Sequence, residues 1–107
     1  MVMISILYPN RNGSKFDQEY YVNTHMPMSI ERLSTHAGYQ GVSVMQGMGG
    51  GMPGSVPTYV AICQFLFDSL ESFLAAFNPH AEFLQADMAN YTDTQPIIQI
   101  SAVEIMR

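Results

Sequence analysis

Four stretches of this 107-residue chain read as β-strands, and together they carry a single charge. They are residues 2–8 (VMISILY), 39–46 (YQGVSVMQ), 58–66 (TYVAICQFL) and 97–106 (IIQISAVEIM), and the charge is Glu104. Successive side chains on a strand point to opposite faces, so a sheet with one wet face shows a polar residue at every second position. That alternation is missing here. Val2, Ile4, Ile6 and Tyr8 line one side of the first stretch, and Met3, Ser5 and Leu7 line the other. Helices can cover one broad side of such a sheet. The other side needs its own cover, and a second copy of the same sheet, related by a two-fold axis, is the simplest one. Composition points the same way. Charged residues make up 12% of the chain, about half the usual share, too few to clothe a monomer of this size.

Two helical patterns separate the strands. In the first, Ser14 reads as an N-cap with Asp17 three residues on. Val22, Met26, Ile30 and Leu33 follow at helical spacing, and Ala37-Gly38 reads as the stop. In the second, Asp68 reads as the cap with Glu71 at the box position. Leu70, Phe73, Leu74 and Phe77 form the apolar stripe, and Asn78-Pro79 ends it. Residues 80–96 have mixed character. Residues 47–57 (GMGGGMPGSVP) read as a flexible loop, a lid or a dimer arm. They are not a phosphate-binding loop, because no Lys-Ser/Thr follows and no helix opens after them. The order β-α-β-β-α-β predicts an α+β, ferredoxin-like fold: a four-stranded antiparallel sheet with two helices on one face. The length predicts one domain spanning residues 1–107.

The charge balance excludes several functions. Net charge is −5, and the four cations Arg11, Lys15, Arg32 and Arg107 do not cluster. Nucleic-acid binding needs clustered Lys and Arg, so neither it nor an anionic membrane surface is expected. Cys63 is the one cysteine, which rules out an internal disulfide and reads as a buried, inert thiol. The apolar start, MVMISILYP, lacks the basic flank of a signal peptide. The expected location is the cytoplasm.

One motif suggests chemistry. Residues 16–27 (FDQEYYVNTHMP) read as a helix until Pro27. Proline has no N–H, and its ring clashes with the carbonyl of residue 23. It also disfavours helical geometry at Met26. The helix is expected to kink, or to end near His25 and restart at Pro27. His25 would then sit at a helix end and be aimed between helices and sheet, as a group able to give and take protons. Tyr21, one turn earlier, would orient it or bind substrate. A purely structural alternative has His25 bonding a carbonyl of the broken turn. Tyr8, Tyr20 and Tyr59 are further candidates for lining an apolar pocket, and His36 reads as a helix-end residue. The three histidines are not spaced as metal ligands on one element, and there is no His-Cys cluster, so no metal or cofactor is expected.

Taken in order, FDQEYYVNTHMPM (16–28), YPN (8–10), FDSLESFLAAF (67–77) and NYTD (90–93) resemble the landmarks of the EthD family, named for ethyl tert-butyl ether degradation. The resemblance covers nearly the whole chain. It implies a dimeric α+β barrel, a homodimer packed through the sheet face, and a role in breaking down small organic compounds. The wider superfamily contains polyketide cyclases, muconolactone isomerases, small monooxygenases and haem-degrading enzymes. NPHAEF (78–83) is similar to the histidine-bearing segment of the cyclase branch, where that histidine is a base. His80 is thus a second catalytic candidate, and the same analogy allows a haem-ligand role for His25 or His80. Two functional classes follow. One is an enzyme that isomerises, cyclises or oxidises a small apolar molecule without a cofactor. The other is a non-catalytic binder or oxygenase accessory. A pocket in which an imidazole and a tyrosine converge would distinguish the first from the second.

Overall fold

Strand β1 (Val2–Pro9) lies at the centre of the sheet, between β3 (Tyr59–Phe67) and β4 (Ile97–Ala102), and β2 (Tyr39–Gln46) closes the outer edge of β3. The computed structural model describes all 107 residues. The sheet order is β2-β3-β1-β4, and every pairing is antiparallel. Two runs of helix pack on one face, giving the expected ferredoxin-like α+β arrangement.

Register decides which side chains meet which face. Ile4 pairs with Phe65 and Ile6 with Cys63, and these residues point into the helix-covered core. Met3 pairs with Leu66 and Leu7 with Ile62 on the opposite, open face. That face holds no charged residue. A polar row crosses it: Ser43 opposite Gln64, Gln64 opposite Ser5, and Ser5 opposite Gln99. Gln64 Nε2 donates to Ser5 Oγ at 3.4 Å within this row. β4 is shorter than its sequence suggests. Its ladder ends at Ala102, and residues 103–107 leave the sheet after one bond from the Val103 N–H to the Met1 carbonyl.

The first helical run starts at Asp17, not Ser14. Asp17 has extended geometry and its carboxylate accepts from the Tyr20 N–H, whereas Ser14 closes a turn by donating to the Arg11 carbonyl. The run has three parts: α1 (Gln18–Tyr20), a π-helical turn (Tyr21–His25) and α2 (Met26–Leu33). In the π turn the Met26 N–H donates to the Tyr21 carbonyl, five residues back. The wider turn lets the chain absorb Pro27 in its first α2 turn without breaking. Met26 keeps helical angles (φ −67°, ψ −41°), contrary to the expectation from proline chemistry.

The π turn also explains why Val22 faces solvent. A pure α-helix would put the core position four residues before Met26. The extra residue moves it to Tyr21, which is buried, while Val22 is 44% exposed. α2 ends at Leu33, earlier than Ala37-Gly38, and His36 Nδ1 accepts from the Gly38 N–H in the turn that follows.

α3 (Leu70–Phe77) is capped by Ser69, whose Oγ accepts from the Ser72 N–H, and not by Asp68. Phe73 and Ala76 are buried in α3, and Leu74 is turned outward. Pro79 does not end the helical region. It sits in a 3-10 turn (Asn78–His80), and helix resumes as α4 (Ala81–Asp87), followed by a second 3-10 turn (Met88–Asn90). No helix is long and apolar enough to cross a membrane.

Candidate active site

Tyr91 follows the last 3-10 turn, and three bonds clamp its segment against the start of α1. The Asp17 N–H donates to the Tyr91 carbonyl (2.7 Å), the Lys15 N–H to Asp93 Oδ1 (2.9 Å), and the Thr92 hydroxyl to the Lys15 carbonyl (2.7 Å). Tyr91 therefore lies over the π turn, with its ring 4.6 Å from that of His25.

His25 is 8% exposed, and Tyr21 stacks on it with ring planes 13° apart. Its Nδ1 lies 2.9 Å from Asp87 Oδ2, the one ion-pair-distance contact in the chain. A carboxylate only accepts, so Nδ1 carries a proton, and in the neutral imidazole Nε2 is left bare. Nε2 faces the Tyr91 hydroxyl at 3.5 Å, and that hydroxyl lies 2.6 Å from the Tyr8 hydroxyl. The result is a continuous chain: Asp87, His25, Tyr91, Tyr8.

Environment fixes the protonation of the chain's ends. Burial alone would raise the Asp87 carboxyl. Hydrogen bonds from His25, Asn90 and Tyr20 outweigh it and hold the group below its ordinary value. Burial pushes the Tyr8 phenol up to about 12 and raises the Tyr91 phenol as well, so both stay protonated donors. Burial likewise raises the Cys63 thiol to about 12, which keeps it an inert core group.

The chain of groups opens on a cavity of about 290 Å³ between the sheet and the helices. Ile6, Met26, Leu33, Phe65, Phe77 and Leu84 supply much of its apolar wall, and His25, Tyr8, Tyr91 and Ser29 are polar members. The exposed liners Gln85, Gln95 and Ile98 mark its mouth. Asp87 does not line it, so the Nδ1 edge of His25 points away from the cavity and the Nε2 edge points toward it. No lysine or arginine lines it. Arg32 lies over the Phe83 ring and donates to the Met28 carbonyl.

The sequence candidates separate in space. His25, Tyr21 and Tyr8 come together at the cavity. Tyr20 does not line it. Its hydroxyl donates to Asp87 Oδ1 at 2.8 Å, behind the imidazole. Tyr59 is paired with Pro9 at the far end of β3, outside the cavity. His80 closes the 3-10 turn, half-buried, and is not brought to the cavity either.

Sequence reasoning missed Asp87 and gave Tyr91 no role. A signal was present, since Leu84, Asp87, Met88 and Tyr91 recur at i, i+3, i+4 and i+7, which puts a carboxylate and a phenol on one apolar stripe.

Sheet order and helix placement define a ferredoxin-like α+β protein. The EthD domain model matches residues 14–95, and the chain belongs to the EthD family. Its structure is similar to that of an EthD-like protein from Ralstonia eutropha JMP134, with 40% identity, a TM-score of 0.89, and 99% of this chain and 94% of that one covered. An ethyl tert-butyl ether degradation family protein from Bacillus halodurans C-125 shares 20% identity at a TM-score of 0.71, covering 96% and 98% of the two chains. A dimeric protein of unknown function with a ferredoxin-like fold, from Bacteroides fragilis NCTC 9343, shares the fold at 17% identity and a TM-score of 0.58, covering 95% of each chain. No curated protein matches the sequence.

Proposed function

We propose that this protein binds a small, largely apolar organic molecule in the cavity between sheet and helices and acts on it by proton transfer through His25, in an isomerisation or cyclisation that needs no cofactor. One observation carries this reading: a buried imidazole, held by a carboxylate on its far side, presents its bare nitrogen to a half-open, largely apolar cavity. A carrier has no use for that arrangement. The working unit is a homodimer joined through the uncharged open face of the sheet. We take the reaction to belong to the breakdown of small compounds, a reading that membership of the EthD family supports.

Native mass spectrometry of freshly purified protein tests the reading. The expected result is a neutral small-molecule adduct at one per chain, lost in Ile98→Trp, which plugs the mouth from an exposed position. An adduct that persists in that variant would place the ligand elsewhere and overturn the reading.

A further inference from the structure

We infer that the substrate is an uncharged carbonyl compound with an acidic hydrogen next to the carbonyl, and that Tyr91 holds the carbonyl oxygen while His25 Nε2 removes that hydrogen. The inference rests on the pocket reading above and specifies it further.

Charge is the first argument. A carboxylate or phosphate entering a cavity of about 290 Å³ would shed its hydration and meet no lysine or arginine. It would also approach Asp87, which is ionised just behind His25. A cation would meet no carboxylate on the wall, because Asp87 faces away. The cavity therefore selects a neutral ligand.

Geometry is the second argument. Nε2 and the Tyr91 hydroxyl are 3.5 Å apart on the same cavity wall. A carbonyl oxygen and the hydrogen on the adjacent carbon are separated by only two carbons, so one ligand can meet both groups at once. The Tyr91 hydroxyl and Nε2 stand too far apart for a strong hydrogen bond to each other. A carbonyl oxygen offers that hydroxyl a better acceptor. With the Tyr91 proton given to that carbonyl, the Tyr8 hydroxyl, 2.6 Å away, is the one left to donate to the Tyr91 oxygen, which strengthens Tyr91 as a donor.

The step balances without any co-reactant. The Nε2 lone pair takes the proton. The C–H electrons become the C=C bond of an enolate, and the carbonyl π electrons move to the oxygen, where Tyr91 stabilises the new charge. Asp87 stabilises the imidazolium that forms. The proton then returns to the same carbon, to a conjugated one in an isomerisation, or to the product of a ring closure.

The test is hydrogen–deuterium exchange at the α-carbon of 2-tetralone, a neutral bicyclic ketone, followed by proton NMR in D₂O with the full-length protein. Binding is read independently from amide shifts in the NMR spectrum. The expected result is exchange faster than in matched buffer by about 10²–10⁴-fold. His25→Ala should return it to the buffer rate. Tyr91→Phe should lower kcat by about 10²-fold or more, with KM changed only a few-fold. 2-Naphthoate, matched in shape but anionic, should not bind. Binding of 2-tetralone without accelerated exchange in the wild-type protein overturns this inference and leaves the pocket reading standing. Absence of binding removes both. Equal binding of 2-naphthoate overturns the selection for neutral ligands. The wild-type measurements need no variant to fold.

Discussion

Replacing Asp87 with asparagine keeps the size of the side chain and removes one acceptor. The wild-type carboxylate takes three donors: His25 Nδ1–H on Oδ2, and the Tyr20 hydroxyl and Asn90 amide on Oδ1 at 2.8 and 2.9 Å. An asparagine has one carbonyl oxygen. Two donors converge on the Oδ1 position, so the oxygen settles there and the NH₂ faces His25. A donor opposite Nδ1 forces the imidazole to move its proton to Nε2. The cavity then meets an N–H where it had met a lone pair, and the base is lost without any change of shape.

The energy follows from the same count of bonds. Each of the three loses its charge assistance, about 1 kcal/mol apiece. Part of that is offset because an amide costs less to desolvate than a carboxylate, at a site where the two side chains are only 10% and 11% exposed. The net loss is about 1–3 kcal/mol, which a domain of ordinary stability survives. Urea unfolding measures the loss, and nitrogen-15 NMR of the imidazole reads the tautomer directly. An Asp87→Asn protein that keeps its proton on Nδ1, or that loses more than about 5 kcal/mol, refutes the reasoning.

The remaining predictions are simpler. Folding holds the Asp87 carboxyl below its ordinary value, so its contribution to stability is complete above the unfolded aspartate value and fades as pH falls through the lowered folded one. Urea midpoints measured from about pH 5 downward should therefore decline less steeply in Asp87→Asn than in the wild type. Ser69→Ala should cost about 1 kcal/mol in a thermal or urea melt, because it removes the acceptor of the Ser72 N–H, and Asp68→Ala should cost less. Ile62→Lys places a charge on the open sheet face opposite Leu7. It should convert a dimer to monomers by light scattering at micromolar concentration, and an unchanged mass would count against sheet-to-sheet pairing. Pro27→Ala restores a donor for the Asn23 carbonyl and removes the reason for the π turn. Relaxation to an α-helix would turn His25 by roughly 100°, and NMR should show the bond to Asp87 lost.

The strands were legible in the sequence because their alternation has no competitor. Val2, Ile4, Ile6 and Tyr8 must share a face whatever the rest of the chain does, and in the structure they do. The helix boundaries were less legible. Ser14 and Asp17 both suit a cap, as do Asp68 and Ser69, and the choice depends on which one has extended backbone next to a free N–H. The π turn was half visible. Pro27 announced a disturbance, but sequence chemistry offered a kink or a break, and it is the Met26 bond to the Tyr21 carbonyl, with the shift of the buried position from Val22 to Tyr21, that shows a residue inserted into the turn. His25 was legible because it lies in the disturbed turn. Asp87 was not, because its role depends on a contact 62 residues away in sequence. No local pattern encodes such a contact, and the Asn78-Pro79 signal argued against the helix that carries it.

The sheet ties the site to the open face without joining them. Along β1, Ile4, Ile6 and Tyr8 point toward the core and the cavity, while Met3, Ser5 and Leu7 point to the open face. A slip of one residue would exchange the two sets. Two irregularities help to pin the register: the shift between Tyr8 and Pro9 against β3, and the bulge between Tyr39 and Gly41. The same register aligns Ser43, Gln64, Ser5 and Gln99 into one polar row and sets Tyr8 within 2.6 Å of Tyr91. The proposed dimer face and the proposed site thus share a backbone but no side chain. A charge on the open face should therefore abolish pairing and leave the bond between the two tyrosines intact. Were the Tyr91 hydroxyl to lose its partner in an Ile62→Lys monomer, the two faces would be coupled through more than register.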